Sequence, residues 1–334
     1  MINITYFHRN PSSGYSIGKV SQIYIAEIEK KEHIENFYMP CAKADIHSIL
    51  KNIRFAFVHR NRKGINHITG DLHYLALVLP SKRTIITVHD VGWNLTYKRM
   101  NPLKAFVIKC LQIYPLYRCS RVVCVSEYTK SELLNVMPSL SSKVCVIPNA
   151  VGTEFKYVHK EFNQNKPVIL HVGHAASAER KNLFRTIEAL QGLNIHLRII
   201  GHLNEQVIVC LNKYQIDYSN IYDLSDEEIA EEYQKCDIVN FPSLFEGFGM
   251  PIIEGQATGR IVVTSNLSPM KDIAGDNAAL VDPYDVKSIR ECYLKIIQDS
   301  FFREILIKNG YKNILRFKVA SVAKQYYELY QNLK

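Results

Sequence analysis

Short apolar runs alternate along the chain with longer amphipathic stretches. The runs are continuously apolar, as expected for strands that are buried on both faces of a parallel sheet. Between the runs, 181–191, 225–236 and 285–299 have helical character. The predicted strands are NITYFH, RFAFVH, TIITVHD, RVVCVSE and KVCVIPN in the first half, and PVILHVG, HLRIIG, CDIVNFPS, RIVVTS and AALVDP in the second. A strand-helix-strand pattern that occurs twice predicts an α/β protein with two doubly wound domains.

A polar stretch predicts the boundary between the two domains. Residues 152–166, GTEFKYVHKEFNQNK, separate the two sets of strands. The first domain is therefore predicted to cover 1–152 and the second 153–315. The remaining segment, 316–334, has a helical pattern whose simplest role is packing. The apolar positions of this pattern are Phe317, Val319, Val322, Ala323, Tyr326, Tyr327 and Tyr330.

Length and composition favour a protein without a membrane span. The 334 residues are 47% apolar, which is ample for two cores. No run approaches the roughly 20 apolar residues that a span requires, and MINITYFHRN lacks the layout of a signal peptide. The eight cysteines are scattered, without the two-residue spacing of zinc or redox sites. We therefore expect a soluble cytoplasmic protein with reduced thiols.

The net charge of +9 lies in the first half of the chain. Residues 1–150 contain 20 Lys and Arg against 9 Asp and Glu, whereas residues 151–334 contain 21 against 23. A one-sided positive charge favours an anionic partner, such as nucleic acid, an anionic membrane surface or a phosphorylated substrate. The alternative is a solvated surface that only keeps the protein soluble.

Two loops that follow predicted strands contain candidate chemistry. In GHAASAERKNLFRTIEAL, Gly173 ends a strand, and Arg180 and Lys181 are predicted to open a helix, which suits a phosphate or diphosphate. In FPSLFEGFGMPIIEG, Glu246 leads a glycine loop and Glu254 is predicted in the first helical turn. Carboxylates accept hydrogen bonds from ribose and sugar hydroxyls, so these two loops together suit a nucleotide sugar. Alternatively, Glu254 is a helix-start acid and Glu246 a surface residue.

These motifs resemble those of the retaining glycosyltransferases of family four, which have the GT-B architecture. FPSLFEGFGMPIIEG resembles the family signature, and HVGHAASAERKNLFRTIEAL resembles its donor-diphosphate segment. VVCVSEYTKSEL and VIPNAV resemble its late first-domain strands, TVHDVGW its acceptor loop and YSIGKV its first glycine loop. The resemblance covers most of the chain. It implies two Rossmann-like domains that face a cleft, the first for acceptor and the second for donor, and a C-terminal helix that crosses back to the first.

The resemblance also implies roles for individual residues. Arg180 and Lys181 would hold the donor diphosphate, Glu254 the nucleotide ribose and Glu246 the donor sugar. His89 would lie near the reacting centre on the acceptor side, so that His89, Glu246 and Lys181 are the predicted catalytic residues. The remaining donor-side positions are Gly173 and the backbone of Gly247, Phe248, Gly249 and Met250, and the remaining acceptor-side positions are Gly14, Gly18 and Asp90. His174 departs from the family pattern, since many relatives have an arginine there, and no diphosphate cation is expected at this position.

Cofactor and partner predictions follow from the resemblance. The nucleotide sugar is a substrate, so no cofactor is expected. The chain contains no Asp-any-Asp motif, so no metal site is expected, and Lys181, Arg180 and a helix dipole would neutralise the leaving group. The expected acceptor is a saccharide linked to a polyprenyl diphosphate, in bacterial surface-polysaccharide (lipopolysaccharide, O-antigen or capsule) biosynthesis. No nucleic-acid partner is expected.

A basic, partly apolar segment predicts peripheral contact with the inner face of the cytoplasmic membrane. Lys98, Arg99, Lys104 and Lys109 accompany apolar residues in one predicted helix, which suits a shallow interfacial contact with anionic lipid. The apolar residues are Leu103, Phe106, Val107 and Leu111. An ordinary domain helix with its charges in water is the alternative.

Other functional classes fit less well. A nicotinamide dehydrogenase would need a Gly-x-Gly-x-x-Gly turn after the first strand, and HRNPSSGYSIG lacks it. A nucleic-acid binder would explain the basic half, but the sequence contains no zinc finger or RNA-recognition signature. A GT-B epimerase or phosphorylase that acts on nucleotide sugars or glycans remains the nearest alternative enzyme.

Overall fold

The computed structural model describes residues 2–13, 15–92 and 101–333. The chain forms two compact units, Met1–Ala150 with Lys318–Lys334, and Val151–Phe317. Each unit contains a six-stranded sheet whose neighbouring strands are parallel. The predicted α/β class with two parallel sheets is therefore confirmed. The assignment of acceptor binding to the first unit and donor binding to the second stays a prediction.

The first unit is built around strands β1 Asn3–His8, β2 His33–Tyr38, β3 Ile65–Ile68, β4 Thr84–Val88, β5 Arg121–Cys124 and β6 Val144–Val146. The strand order is β2-β1-β3-β4-β5-β6. Apolar cores lie on both faces of this sheet, because successive residues of β4, Ile85 and Ile86, belong to different buried clusters. Its α-helices are α1 Tyr15–Glu29, α2 Ile46–His59, α3 Pro102–Ile108, α4 Tyr114–Arg118 and α5 Glu127–Val136, and a π-helical turn Lys109–Ile113 joins α3 to α4.

The second unit repeats this plan. Its strands are β7 Val168–Val172, β8 His196–Ile200, β9 Tyr218–Ile221, β10 Ile238–Phe241, β11 Ile261–Ser265 and β12 Ala279–Val281. The order β12-β11-β10-β7-β8-β9 places β7 between β10 and β8. Its α-helices are α6 Leu183–Leu190, α7 Glu205–Lys213, α8 Asp226–Lys235, α9 Met250–Ala257, α10 Met270–Ala274, α11 Val286–Gln298 and α12 Ser300–Asn313. The predicted helical stretches correspond to α6, α8 and α11.

One predicted strand is wrong. The run RFAFVH is the end of helix α2. The side chain of Asp45 caps this helix, since its Oδ1 accepts a hydrogen bond from the Ser48 backbone N–H at 2.9 Å. Ile49, Asn52 and Ala56 are buried at helical spacing, whereas other apolar residues of the run point to solvent. The apolar residues of this run therefore lie on both the buried and the exposed face of a helix. Apolar content alone does not distinguish such a segment from a buried strand.

Three strands were missed in the sequence. β2 and β9 are edge strands, and neither is continuously apolar: β2 is HIENFY and β9 is YSNI. β3, INHI, is fully buried although it contains Asn66 and His67. The buried polar side chains of β3 are hydrogen-bonded, Asn66 with the backbone of Asn61 and His67 with two hydroxyls. Such strands are stable because of partners that lie elsewhere in the chain.

Helix α13, Val319–Gln331, packs in the first unit against α1. Val322, Ala323, Tyr326 and Tyr330 of α13 are buried. The ring of Tyr326 stacks on that of Tyr24 in α1, with centroids 4.1 Å apart. The last helix of the chain is therefore part of the first core.

A buried polar network ties α13 to the centre of the first sheet. The hydroxyl of Tyr330 shares hydrogen bonds with the Tyr6 hydroxyl at 2.9 Å and with His67 Nδ1 at 2.7 Å. His67 Nε2 lies 2.9 Å from Thr87 Oγ1, which in turn contacts the hydroxyl of Tyr326. Burial lowers the pKa of His67 to about 3, so its ring is neutral at ordinary pH.

Two kinds of feature are absent from the described part of the chain. None of its helices combines the length and apolar content that crossing a bilayer requires. No three His, Cys, Asp or Glu side chains among residues 2–13, 15–92 and 101–333 converge as ligands of a metal ion.

Candidate functional site

In the second unit, the loops that follow β7 and β10 meet, because these two strands are neighbours in the sheet. The backbone N–H of Leu244 donates to the carbonyl of Arg180 at 2.8 Å, and Arg180 Nη1 donates to the carbonyl of Phe245 at 3.0 Å. Arg180 Nη1 also forms an ion pair with Glu246 Oε1 at 2.5 Å. The structure thus brings the predicted diphosphate segment and the predicted sugar-binding glutamate together.

Lys181 is directed inward at the same place. Its Nζ donates to the carbonyl of Val172 at 2.6 Å and lies 5.5 Å from the centre of the Phe241 ring. Burial is the main cause of the lowered pKa of Lys181, and the positive charge of Arg180 lowers this pKa further. The carboxylates of Glu246 and Glu254 raise the pKa and so oppose these two effects. Both predicted glutamates therefore lie close enough to stabilise this ammonium.

The prediction that Arg180 and Lys181 open a helix is wrong by two to three residues. Helix α6 begins at Leu183, and Arg180 and Lys181 lie in the turn before it. The N-cap residue Asn182 has a left-handed backbone with φ of 62°, and its side chain donates to the carbonyl of Pro283 at 2.6 Å. This anchored asparagine ends the loop and delays the start of the helix.

The glycine loop after β10 has the backbone freedom that its sequence predicts. Gly249 has φ of 113°, and a Cβ there would lie 3.0 Å from Ile252 Cδ1 and 3.3 Å from Phe241 Cε1. Helix α9 begins at Met250, and Pro251 is its second residue, where the missing backbone N–H of proline breaks no helical hydrogen bond. Phe248 is buried and packs edge-on against Phe317, with ring centroids 5.8 Å apart. Gly247 and Gly249 thus flank an aromatic anchor.

Glu254 is the fifth residue of α9 and lies just beyond the first turn in which it was predicted, because the left-handed backbone of Gly249 allows the helix to begin at Met250. The hydroxyl of Tyr233, on helix α8, donates to Glu254 Oε2 at 2.6 Å. Burial and the neighbouring carboxylate raise the pKa of Tyr233 well above its ordinary value, so it remains a donor. The orientation of the Glu254 carboxylate is therefore held by a neutral hydroxyl from another helix.

An aromatic group follows the neighbouring strands β7, β8 and β9. The rings of His174 and His202 stack, with centroids 5.8 Å apart and an interplanar angle of 16°. The ring of Tyr222 lies 4.2 Å from that of His202, and His202 Nε2 lies 3.1 Å from Asp223 Oδ1. His202 and Tyr222 were not predicted from the sequence. The sequence indicates these two residues only by their position after strand ends, and strand β9, which precedes Tyr222, was not predicted.

On the first unit, His89 directly follows β4. Its Nε2 donates to the carbonyl of Thr69 at 2.9 Å, which leaves Nδ1 as the lone-pair nitrogen of the neutral ring. Burial lowers the pKa of His89. Asp90 is exposed, and its Oδ1 accepts from the backbone N–H of Gly92 at 2.9 Å. A backbone hydrogen bond therefore orients the predicted histidine.

The predicted glycine loop near the N-terminus is only partly described. Gly14 lies outside the described residues. Gly18 lies within helix α1 and not in a loop, which corrects the prediction for YSIGKV. The reason is that α1 continues with the buried residues Val20, Tyr24, Ile25 and Ile28 at helical spacing. A Cβ at Gly18 would have no neighbour within 4 Å among the described residues.

A cavity of about 360 Å³ lies in the first unit, and sequence analysis did not predict it. Arg9 forms an ion pair with Asp71 at 3.4 Å on one side. The amide of Asn10 donates to the carbonyl of Met39 at 2.9 Å, and the amide of Asn52 exchanges two hydrogen bonds with the Cys41 backbone. These side chains hold the loop that lines the cavity. The apolar wall consists of Ile49, Leu72, Val107, Ile108 and Leu111.

Two family descriptions match consecutive parts of the chain. Residues 34–155 match Glycosyltransferase Family 4, and residues 152–313 match Glycosyl transferases group 1. The chain belongs to the group 1 glycosyltransferases of family 4. The family membership confirms the resemblance seen in the motifs, and it favours the transferase over the dehydrogenase and the nucleic-acid binder.

Several curated relatives of this family 4 glycosyltransferase are similar over part of their length. An uncharacterized glycosyltransferase of Methanocaldococcus jannaschii is 27% identical over 65% of this chain and 62% of its own. The serotype-specific mannosyltransferase WbdA of Escherichia coli is 25% identical over 56% of this chain and 26% of its own. The N,N'-diacetylbacillosaminyl-diphospho-undecaprenol alpha-1,3-N-acetylgalactosaminyltransferase of Campylobacter jejuni is 24% identical over 69% of this chain and 65% of its own. The chain spans less than two thirds of each of these relatives.

Solved structures show that this family 4 glycosyltransferase has the GT-B fold. Sucrose-phosphate synthase from Thermosynechococcus elongatus has a TM-score of 0.77 at 17% identity, over 100% of this chain and 99% of its own. HepE of Anabaena, in complex with UDP and glucose, has a TM-score of 0.75 at 14% identity, over 99% of this chain and 100% of its own. The GT-B class predicted from the motifs is confirmed.

Proposed function

We propose that this glycosyltransferase moves a sugar from a nucleotide-sugar donor to a saccharide acceptor, with retention of configuration and without a metal, in bacterial surface-polysaccharide synthesis. The observation that carries the proposal is the convergence of Lys181, Arg180, Glu246 and Glu254 at the ends of β7 and β10. The Escherichia coli and Campylobacter relatives support the biological context.

The donor would span this site from its nucleotide to its sugar. Lys181 and Arg180 would bind the diphosphate and neutralise the charge that develops on it when the glycosidic bond breaks. Glu254, oriented by Tyr233, would accept hydrogen bonds from the ribose hydroxyls, and Glu246 from the sugar hydroxyls. The departing diphosphate would help to take the proton of the acceptor hydroxyl, which attacks from the same face.

The nucleobase would lie on the aromatic group beyond the diphosphate. His174, His202 and Tyr222 are exposed and lie in ring contact at the ends of neighbouring strands, which suits a planar heterocycle. In support, HepE of Anabaena, which shares the fold, was solved with UDP. The identity of the base would then depend on polar atoms around this platform, among them the carboxylate of Asp223.

The acceptor would bind to the first unit, in the cavity beside Arg9. That cavity combines cations, Arg9 and the exposed Lys43, with an apolar wall, which suits a diphosphate-linked lipid saccharide. The Campylobacter relative is named for a diphospho-undecaprenol-linked sugar. The basic charge of the first half of the chain, 20 basic against 9 acidic residues, supports the same class of acceptor.

The two glutamates provide the test of the proposed function. Glu254→Gln is expected to weaken binding of the free nucleoside diphosphate by about 1–3 kcal/mol, because the ribose loses a charge-assisted hydrogen bond. Glu246→Gln is expected to spare that ligand, which has no sugar, and to weaken binding and transfer of the complete donor. Calorimetry with a panel of UDP, GDP, ADP and dTDP and their sugars, followed by a transfer assay, measures both effects.

Tyr233→Phe is the matched control for Glu254. It removes the hydroxyl that orients the carboxylate and leaves the carboxylate charged, so it should weaken nucleotide binding less than Glu254→Gln does. Equal losses for both ligands in both glutamate variants would contradict the proposed division between ribose and sugar. Failure of every nucleoside diphosphate to bind the unmodified chain would refute the proposed function as a whole.

His89→Ala is expected to reduce transfer while nucleoside diphosphate affinity stays nearly unchanged. The neutral ring offers Nδ1 to a hydroxyl of sugar or acceptor, since Nε2 is committed to Thr69. The effect expected for removal of such a group is about 10²-fold or more. On the same variant, steady-state assays measure the rate of transfer and calorimetry measures the affinity for the nucleoside diphosphate. A normal turnover rate would show that His89 does not contribute to the site.

We further propose that the first unit touches the inner face of the cytoplasmic membrane through α3 and its surroundings. In this helix Phe106 is 60% exposed and Val107 is 45% exposed. Lys98 and Arg99, which belong to the same prediction, lie outside the described residues. Flotation with anionic liposomes at low salt should recover more protein than flotation with neutral liposomes. Equal recovery would exclude the electrostatic part of this proposal.

A further inference from the structure

A histidine beneath the donor loop has an unusual set of partners. His171 lies within β7 and has no solvent exposure. Its Nδ1 lies 2.8 Å from the side-chain amide nitrogen of Asn240 on the neighbouring strand β10. The carbonyl oxygen of the same amide accepts from the hydroxyl of Tyr293, on α11, at 2.6 Å. An amide nitrogen only donates, so Nδ1 accepts, and the neutral ring carries its hydrogen on Nε2.

The ring remains neutral over the range in which enzymes work. Burial lowers the pKa of His171 to about 3, and the adjacent ammonium of Lys181 adds to this effect. The chain of hydrogen bonds from Tyr293 through Asn240 therefore fixes one tautomer of a neutral imidazole.

The remaining nitrogen is an unpartnered donor. His171 Nε2 is buried and has no hydrogen-bond partner among the residues that the structure describes. It lies 3.5 Å from the position that a Cβ on Gly173 would occupy, and Lys181 Cδ lies 2.6 Å from the same position. Buried N–H groups without a partner are rare, because they lose their hydrogen bond to water and gain none in return. The donor thus points to the place where the predicted diphosphate segment begins.

We propose that His171 is a binding residue of the donor site, whose Nε2–H donates to a phosphate oxygen of the nucleotide sugar in the space beside Gly173. This inference rests on the proposed function. In the structure the methylenes of Lys181 fill that space while its ammonium donates to the carbonyl of Val172. When the ammonium turns to the diphosphate, the methylenes leave Gly173 and the imidazole N–H meets the ligand.

A neutral donor suits this position. A further cation beside Lys181, in addition to Arg180, would increase the repulsion, whereas the imidazole N–H adds a hydrogen bond to the anion without adding charge. The absence of a side chain at Gly173 is also required, because any side chain there would occupy the space between His171 and the ligand.

Substitution of His171 by asparagine or by glutamine distinguishes the role of Nδ1 from that of Nε2, because the two amide side chains have similar polarity but different length. The amide nitrogen of a glutamine can take the place of Nε2, whereas that of an asparagine reaches only the place of Nδ1. His171→Asn is expected to weaken binding of the tightest ligand among UDP, GDP, ADP and dTDP by about tenfold or more, and His171→Gln by less than about threefold. The affinity for inorganic diphosphate should change in the same order, because the lost contact is to phosphate. Calorimetry measures all of these affinities.

His67 provides a matched control in the first unit. It is also fully buried within a parallel strand and neutral, but both of its nitrogens have hydroxyl partners. His67→Asn should lower thermal stability as His171→Asn does, yet leave nucleotide affinity unchanged. If the two variants lose nucleotide affinity equally, or if His171→Asn keeps it, the inference is overturned.

A measurement on the unmodified chain does not depend on the folding of any variant. In ¹⁵N-labelled protein the His171 ring should show the Nε2–H tautomer, and its N–H resonance should move downfield when the nucleoside diphosphate is added. An unchanged resonance at saturation would overturn the inference while leaving the proposed function intact. If no nucleoside diphosphate binds, both fail together.

Discussion

Lys181→Gln is expected to lower the rate of sugar transfer by about 10²–10³-fold, which is typical for loss of one group that stabilises charge in a transition state. The ammonium of Lys181 lies in a half-buried position, where burial lowers its pKa and the carboxylates of Glu246 and Glu254 oppose that change. Its charge is therefore weakly screened and acts strongly on an incoming anion. Glutamine keeps a hydrogen-bond donor for the carbonyl of Val172 but loses the charge. A transfer assay with the donor identified by calorimetry measures the effect.

Arg180→Gln is the matched control for this variant. The side chain of Arg180 is 43% exposed and is already paired with Glu246, so that much of its charge is screened before the donor arrives. We expect a smaller loss of transfer, about tenfold. Thermal unfolding of both variants shows whether the loops stay folded. Normal transfer by Lys181→Gln, or a larger loss in Arg180→Gln, would contradict the role that we propose for Lys181.

Tyr330→Ala is expected to destabilise the first unit by about 3–5 kcal/mol, the size seen when a large aromatic side chain is removed from a core. The ring of Tyr330 is fully buried between α13 and the sheet. Its loss also leaves the hydroxyl of Tyr6 and Nδ1 of His67 without their partner. Hydrogen exchange of the backbone amides of β1 and β3 measures the free energy of opening in this unit directly.

Two variants of the same helix separate the contributions. Tyr330→Phe keeps the ring and removes the hydroxyl, so its cost should be about 1–3 kcal/mol, which is the penalty for the unpartnered polar groups. Tyr327→Ala removes a ring that is only partly buried and should cost less than Tyr330→Ala. Amides of β7 and β10 should exchange as in the unmodified chain. A loss of protection in the second unit equal to that in the first would show that the effect is not local to α13.

Most interior strands and the candidate loops after β7 and β10 were predictable from the sequence, but the interior strand β3, with its buried Asn66 and His67, was not. β1, β4 and β5 lie in the middle of the first sheet and are almost entirely buried, so that their apolar runs are continuous. β2 and β9 were missed because polar residues interrupt them, whereas the other two edge strands, β6 and β12, are apolar and were recognised. RFAFVH was mistaken for a strand because the cap at Asp45, ahead of the run, determines that the segment is helical.

The candidate site was predictable to a similar extent. Lys181, Glu246 and Glu254 follow strands or glycines that the sequence marks clearly, and the structure places them near one another. The contacts that orient them were not predictable, since the hydroxyl on Glu254 comes from Tyr233 of another helix and the ion pair of Glu246 requires β7 and β10 to be neighbours. Gly18 shows the opposite case, in which a motif suggested a loop and helix α1 formed instead.

The sequence by itself determined where the apolar strands such as β4, β7 and β10 lie, because local composition and spacing specify them, whereas the buried polar strand β3 could not be recognised in this way. Only the tertiary structure decided which buried polar groups meet. Tyr6 and Tyr330 are 324 residues apart, and His171 and Asn240 are 69 apart, yet each pair shares one hydrogen bond. A buried polar side chain is stable only beside a suitable partner, and which partner it meets depends on the order of the strands in the sheet.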